Sequence, residues 1–166
     1  MKSHLILSLA LWLCAAVASA QPVIKDADLT GMRPNEGGAP EQITLGLGVL
    51  DIVGIDDREQ VFMADIYVEI RWQDPRLAAA GDEGPGLRTL ALDDIWNPRL
   101  TIVNNRGLSV LLPEVATVDG QGNVVARQRL AGPLAVDLDL REFPFDKQRL
   151  PIEVVSYQYS QADIVF

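Results

Sequence analysis

The strongest pattern in the chain is a strict alternation over residues 61–72. Phe62, Ala64, Ile66, Val68, Ile70 and Trp72 take one parity, and Met63, Asp65, Tyr67, Glu69 and Arg71 take the other. Successive side chains of a strand point to opposite faces, so this spacing predicts a half-buried antiparallel strand with one apolar and one mostly polar face. The run 43–53 predicts its hairpin partner, joined through a charged tip, Asp56-Asp57-Arg58-Glu59. Shorter β-type runs follow at 100–104, 108–112, 114–118, 123–130, 134–140, 148–156 and 162–166. Turn-forming sequences separate most of them: Asn104-Asn105-Arg106-Gly107, Asp119-Gly120-Gln121-Gly122-Asn123 and Gly132-Pro133. Residues 78–94, with Gly81, Gly84, Pro85 and Gly86, read as a loop. Many short strands without a helical period predict an all-β, immunoglobulin-like antiparallel β-sandwich. No internal repeat is present.

The first 42 residues have a different texture. Lys2 precedes the apolar stretch 5–17, and Ala18-Ser19-Ala20 supplies the small residues of a signal-peptidase site, so 1–20 reads as a secretory signal peptide. A lipoprotein reading through Cys14 is disfavoured by the bulky Leu13 before it. Residues 21–42 carry Pro22, Pro34, Pro40 and Asn35-Glu36-Gly37-Gly38-Ala39 and read as a flexible arm with local structure near 27–29. The sandwich domain is therefore expected at 43–166.

Composition narrows the chemistry. The chain has 166 residues, enough for one domain, with 48% hydrophobic residues and a net charge of −9, which argues against a nucleic-acid surface. Its one histidine is His4 and its one cysteine is Cys14, both within the signal segment. Export would leave a domain without imidazole, thiol or disulfide, so the usual nucleophilic triads and zinc sites are unavailable. The expectation is a protein that is not an enzyme, with no metal and no cofactor. A glycosidase built on paired carboxylates survives this filter, but no spacing singles out such a pair. Asp56-Asp57 and Asp93-Asp94 read as solvated acidic positions.

Three motifs go beyond generic sandwich character: Trp72-Gln73-Asp74-Pro75-Arg76-Leu77; Ile95-Trp96-Asn97-Pro98-Arg99-Leu100 running on to Asn104-Asn105; and Phe143-Pro144-Phe145-Asp146-Lys147-Gln148-Arg149-Leu150-Pro151-Ile152. In this order, with the hairpin tip 55–60, they resemble the extracellular ligand-binding domain of pentameric ligand-gated ion channels, the Cys-loop receptor superfamily. The resemblance covers roughly residues 43–166. In animal members a disulfide closes the signature loop, and here Leu138 or a neighbour and Leu150 stand at those positions. Prokaryotic members look the same. The loop is then expected to be held by packing of Phe143 and Phe145, by Pro144, and by hydrogen bonds from Asp146.

The resemblance implies a small-molecule ligand, an amine, amino acid or carboxylate, bound between identical subunits of a pentamer. It implies Tyr67 on one side of that interface, and Tyr157 and Tyr159 on the other. Val103 stands where many members keep a tyrosine, and Arg127 and Arg129 approach the Tyr67 side, admitting an anionic or zwitterionic ligand. Asp57, Arg58, Phe143, Pro144, Phe145 and Asp146 take the positions that couple binding to the pore. Trp72, Asp74, Trp96 and Pro98 are expected to define the fold. The family's remaining strands and four membrane helices would follow Phe166, so the chain reads as incomplete, with membrane contact only through that missing part. An isolated product is expected to be poorly stable. The predicted location is the periplasmic or extracellular side of a bacterial cytoplasmic membrane. The rival reading is a secreted or periplasmic sandwich used for binding or adhesion without channel activity.

Overall fold

The computed structural model describes residues 30–79, 86–142 and 145–166. The signal segment, the arm up to residue 29, the loop core 80–85 and the pair Phe143-Pro144 lie outside the described residues. Among those described, no helix is long and apolar enough to cross a membrane.

The alternating segment is strand β3 (Val61–Gln73), with all six predicted inward residues buried. Its neighbours complete a hairpin and a central sheet. β2 (Thr44–Asp56) pairs with it antiparallel, and so does β8 (Asn123–Ala135) on the other side. β7 (Val115–Val118), β4 (Arg88–Ala91) and β6 (Ser109–Val110) finish the six-stranded sheet, in the order β2-β3-β8-β7-β4 with β6 beside β8. A second layer is the pair β5 (Leu100–Ile102) and β9 (Val154–Ser156). A short parallel pair, β1 (Glu41–Gln42) with β10 (Ile164–Val165), joins the first described residues to the last strand. The all-β sandwich is thus observed.

The core divides into two apolar clusters. One gathers Val68, Ile70 and Trp72 of β3 with Ile95, Trp96, Val118 and Val124. The other gathers Phe62, Ala64 and Ile66 with Ile102, Leu134, Val136 and Leu138. Trp72 and Trp96 meet edge to face, with ring centres 6.1 Å apart, a geometry the ring quadrupoles favour. Pro98 is fully buried beside them.

Asp74 ends β3. Its carboxylate is fully buried and accepts hydrogen bonds from Arg76 through the backbone N (3.0 Å), Nε (2.9 Å) and Nη2 (2.8 Å). The same carboxylate caps the 3-10 turn Pro75–Leu77. Its backbone N–H reaches the Gly122 carbonyl at 2.8 Å. The β7–β8 turn must therefore pass directly over this junction, and Gly122, at φ +79°, makes that possible: a Cβ there would lie 2.3 Å from the Asp74 carbonyl oxygen.

Five expectations are corrected. Gly132-Pro133 is not a turn but part of β8, paired with Ala64 and Met63. Gly132, at φ +145°, admits the Gly107 carbonyl at a distance where a Cβ would meet it at 2.8 Å, so this glycine marks a close crossing rather than a reversal. After Ala135 the chain leaves the sheet, and 136–140 forms no strand, although Val136 and Leu138 stay buried. The predicted runs 148–156 and 162–166 shrink to β9 and β10. Inside the supposed loop 78–94, β4 pairs with β7 and carries Leu90 toward the core. Finally, the arm is packed from Arg33 onward. Arg33 is 7% exposed and donates to the Asp163 carbonyl at 3.0 Å, and buried Glu41 accepts the Asn35 N–H at 2.6 Å.

Replacing Gly122 with Ala forces a Cβ into the Asp74 backbone at a positive φ, and we expect a loss of about 2–4 kcal/mol in chemical denaturation. Gly54→Ala, where nothing lies within 4 Å, should leave the midpoint unchanged or slightly raised. Equal midpoints for the two variants would show that the junction does not constrain the fold.

Candidate functional site

β3 presents Asp65, Tyr67, Glu69 and Arg71 on the face opposite the core, and β8 presents Arg127 and Arg129 beside them. The antiparallel register sets Tyr67 opposite Arg129 and Glu69 opposite Arg127. On its other flank Tyr67 faces Gly48, and Glu69 faces Gly46. Cross-strand partners share a face, so the two glycines leave the tyrosine ring open on the β2 side. This makes a shallow platform with an aromatic centre.

The arginines are not free on this platform. Arg129 donates to Asp65 through Nε (3.0 Å) and Nη2 (2.6 Å), a two-pronged pair. Arg127 Nε donates to Glu69 at 2.9 Å, and Arg71 Nε to the same carboxylate at 2.8 Å. Tyr67 thus sits between two ion pairs. The Asp65 carboxyl is held below its ordinary 3.8 chiefly by the hydrogen bond from Arg129, whose own pKa is raised in return. Glu69 is lowered in the same way, by Arg71 first and Arg127 second. Sequence reasoning identified Tyr67 and both arginines but missed Gly46, Gly48, Asp65 and Glu69. The visible signal was the Leu45-Gly46-Leu47-Gly48 alternation, which gains meaning only with the register.

The tyrosines beyond β9 separate. Tyr157 is exposed, and its N–H reaches the Arg99 carbonyl at 3.2 Å. Tyr159 instead packs on Trp96 with ring centres 5.6 Å apart and accepts the indole Nε1–H at 2.8 Å. Its hydroxyl thus satisfies a buried donor, while the ring itself stays half-buried. Val103 is exposed and donates its N–H to the Glu153 carbonyl at 2.8 Å. It lies four residues along the chain from Arg99, whose carbonyl accepts the Tyr157 N–H.

At one end of the sandwich the hairpin tip and the signature loop meet. Asp56 Oδ1 accepts the N–H groups of Arg58 and Glu59, both at 3.0 Å, which folds the tip and leaves Asp57 and Arg58 exposed. Gln60 then ties the tip to the loop base: its carbonyl accepts Val136 N–H at 2.9 Å and its Oε1 accepts Leu138 N–H at 2.8 Å. Gln148 closes the loop. Its Oε1 accepts Asp139 N–H at 3.2 Å, and its Nε2 donates to the Asp139 carbonyl at 2.7 Å and to Asp146. Leu138 and Leu150, at the disulfide positions, both join the second apolar cluster. The expectation that Phe145 packs to hold the loop is corrected, because Phe145 is 89% exposed at the tip. Among the described residues no cluster of acidic or metal-binding side chains is arranged to hold a metal.

An NMR titration should place the Asp65 carboxyl midpoint below 3.8, and Arg129→Gln should return it toward that value. A depressed folded-state pKa contributes stability that is present above the unfolded value and lost as the pH falls through the folded one. The variant should therefore lose more stability at pH 7 than at pH 3. An unmoved midpoint would show the pair is not formed in solution.

The family model of the neurotransmitter-gated ion-channel ligand-binding domain matches residues 29–166. That match extends the domain back through the packed segment that follows residue 29. Similar proteins include the gamma-aminobutyric acid receptor subunit pi of Bos taurus, 30% identical over 141 residues, and that of Rattus norvegicus, 29% identical over 141 residues. These alignments cover 81% of this chain and 32% of each relative, so the chain spans about a third of their length. The family is one of receptors, which removes the glycosidase reading, and the chain belongs to the neurotransmitter-gated ion-channel ligand-binding domain family.

Proposed function

We propose that the chain is the ligand-binding part of a pentameric ligand-gated channel subunit, assembled from identical subunits. A small ligand occupies the interface between neighbours, against the platform around Tyr67. One observation carries this reading: an aromatic ring left open by Gly46 and Gly48 and bracketed by the pairs Asp65–Arg129 and Glu69–Arg127. Tyr157, exposed on the second layer, supplies the opposing aromatic from the adjacent subunit.

The ligand class follows from the charges. A simple anion would compete with Asp65 and Glu69 for the arginines, and a simple cation would compete with the arginines for the carboxylates. A zwitterionic amino acid offers both charges and can exchange with both pairs, while its ammonium or methylene groups rest on the tyrosine ring. The mammalian relatives are named as receptors for such a molecule, gamma-aminobutyric acid. The leucines at the disulfide positions support assignment to the prokaryotic branch, with the domain on the periplasmic face of the membrane.

Binding is passed on through the joined tips. Gln60 and Gln148 hold Asp57, Arg58 and the loop of Asp146 in one unit. Exposed Phe145, with Phe143 and Pro144 beside it in sequence, offers an apolar wedge to the pore domain.

In the full-length parent channel, Tyr67→Ala and Tyr157→Ala should each shift the agonist concentration–response about tenfold to higher concentration, the loss of an aromatic–cation contact. Asp146→Ala and Phe145→Ala should lower the maximal open probability at saturating agonist. Unchanged curves for both tyrosine variants would remove the interface assignment.

A further inference from the structure

On the side of β3 away from Tyr67, a cavity of about 210 Å³ lies between the two sheets. Val68 and Ile70 of β3, Leu130 of β8, and Leu100 and Ile102 of β5 form its apolar wall. It sits where the sheets face each other near the boundary between the two core clusters, and Leu130 packs against both. The cavity is separate from the platform, because the residues lining it have the opposite strand parity.

Its lining is divided almost evenly between polar and apolar surface, with Thr101, Asn105, Glu114 and Gln128 on the polar side. The inward positions of β8 run Val124, Ala126, Gln128 and Leu130, so Gln128 is a polar residue where the pattern calls for an apolar one. Among the described residues its amide meets no hydrogen-bond partner, and it lines the cavity half-buried. Its amide is not shut off from solvent, so it can bond water or a bound molecule at the cavity mouth. Glu114, exposed at the rim, carries the sole charge of the lining. Asn105 also contributes, with its Oδ1 already taken by the N–H groups of Gly107 and Leu108 at 2.7 Å.

We propose that this cavity is a ligand site for a small arylalkylammonium, with the ring between the sheets and the ammonium at the rim against Glu114 and the Gln128 carbonyl oxygen. Size and charge select this class. A cavity of about 150 Å³ has room for benzene, so one of about 210 Å³ that opens to solvent has room for a benzene ring with a short chain reaching its polar mouth. The rim offers a carboxylate and no cation, which favours an ammonium and disfavours a carboxylate. A bound molecule would touch β3 and β8 on one side and β5 on the other, and so set the spacing of the two layers from within.

The test is an NMR titration of the full-length parent channel, labelled at methyl groups and side-chain amides, with phenethylamine, and with 3-phenylpropionate as comparator. Saturable shifts are expected at Ile70, Ile102, Leu130 and the Gln128 side-chain amide. Val110→Trp, which plugs the cavity from an exposed lining position, should abolish them. Glu114→Gln should weaken the amine about three- to fivefold, the range for a partly solvated pair, and Gln128→Leu should also weaken it. The comparator should bind more weakly than the amine. Tyr67→Ala should change nothing, which separates this site from the subunit interface. The proposal is overturned by an absence of shifts at these residues, by equal affinity for amine and carboxylate, by loss of binding in Tyr67→Ala, or by binding that survives in folded Val110→Trp. If Val110→Trp does not fold, unchanged affinity in both Glu114→Gln and Gln128→Leu overturns it.

Discussion

The register of β3 is the constraint on which the other parts depend. Six alternate residues, from Phe62 to Trp72, supply the floor of both core clusters, and the intervening residues supply the platform of Asp65, Tyr67 and Glu69. A slip of one residue would exchange the two sets, exposing the core face and burying the charges. The core and the outward platform therefore rest on the same backbone alignment. The pairing of β3 with β8 along their whole length fixes that alignment from one side. The Asp74 junction fixes it at the end, where a carboxylate with no exposure is satisfied by Arg76 and the strand is tied back to Gly122.

Trp96 plays a matching role for the second layer. It is fully buried, stacks edge-on to Trp72, and hands its indole proton to Tyr159. Ser156 adds to this join, donating to the Pro98 carbonyl at 2.7 Å and accepting the Tyr159 N–H at 3.1 Å. The motif around Trp96-Asn97-Pro98 thus holds β5 and the segment after β9 against the central sheet through a few directional bonds. Large apolar area provides the rest of the cohesion.

What could be read in the sequence was what repeats at short range. The period of β3, its hairpin partner and its charged tip follow from local alternation, and so does the outward parity of Tyr67. The continuity of β8 was hidden, because Gly132-Pro133 is a turn signal whose real cause is a crossing by Gly107 from elsewhere in the chain. The packing of Arg33 was hidden for the same reason, since its partner carbonyl is 130 residues away. At the site, Arg127 and Glu69 are separated by 58 residues, so their mutual neutralisation is a fact of register that no local pattern contains. Tyr159 alternates like a surface residue, yet a buried indole donor decides its place. β4 was too short for its apolar positions to stand out from the glycines around it.

The closure of the signature loop by Gln148 has a consequence for its redox behaviour. A disulfide constrains the unfolded chain as well as the folded one, whereas two hydrogen bonds between Gln148 and Asp139 exist only when both residues are already in place. The loop thus has no memory of its closed form outside the folded domain, and its ring-closing entropy is borne by the native packing around Leu138 and Leu150. In exchange, nothing in that closure can be reduced or oxidised. Thiol reagents that would open a covalently closed loop have no bond to act on here, and the loop's order is set by the surrounding fold rather than by the redox state of its compartment.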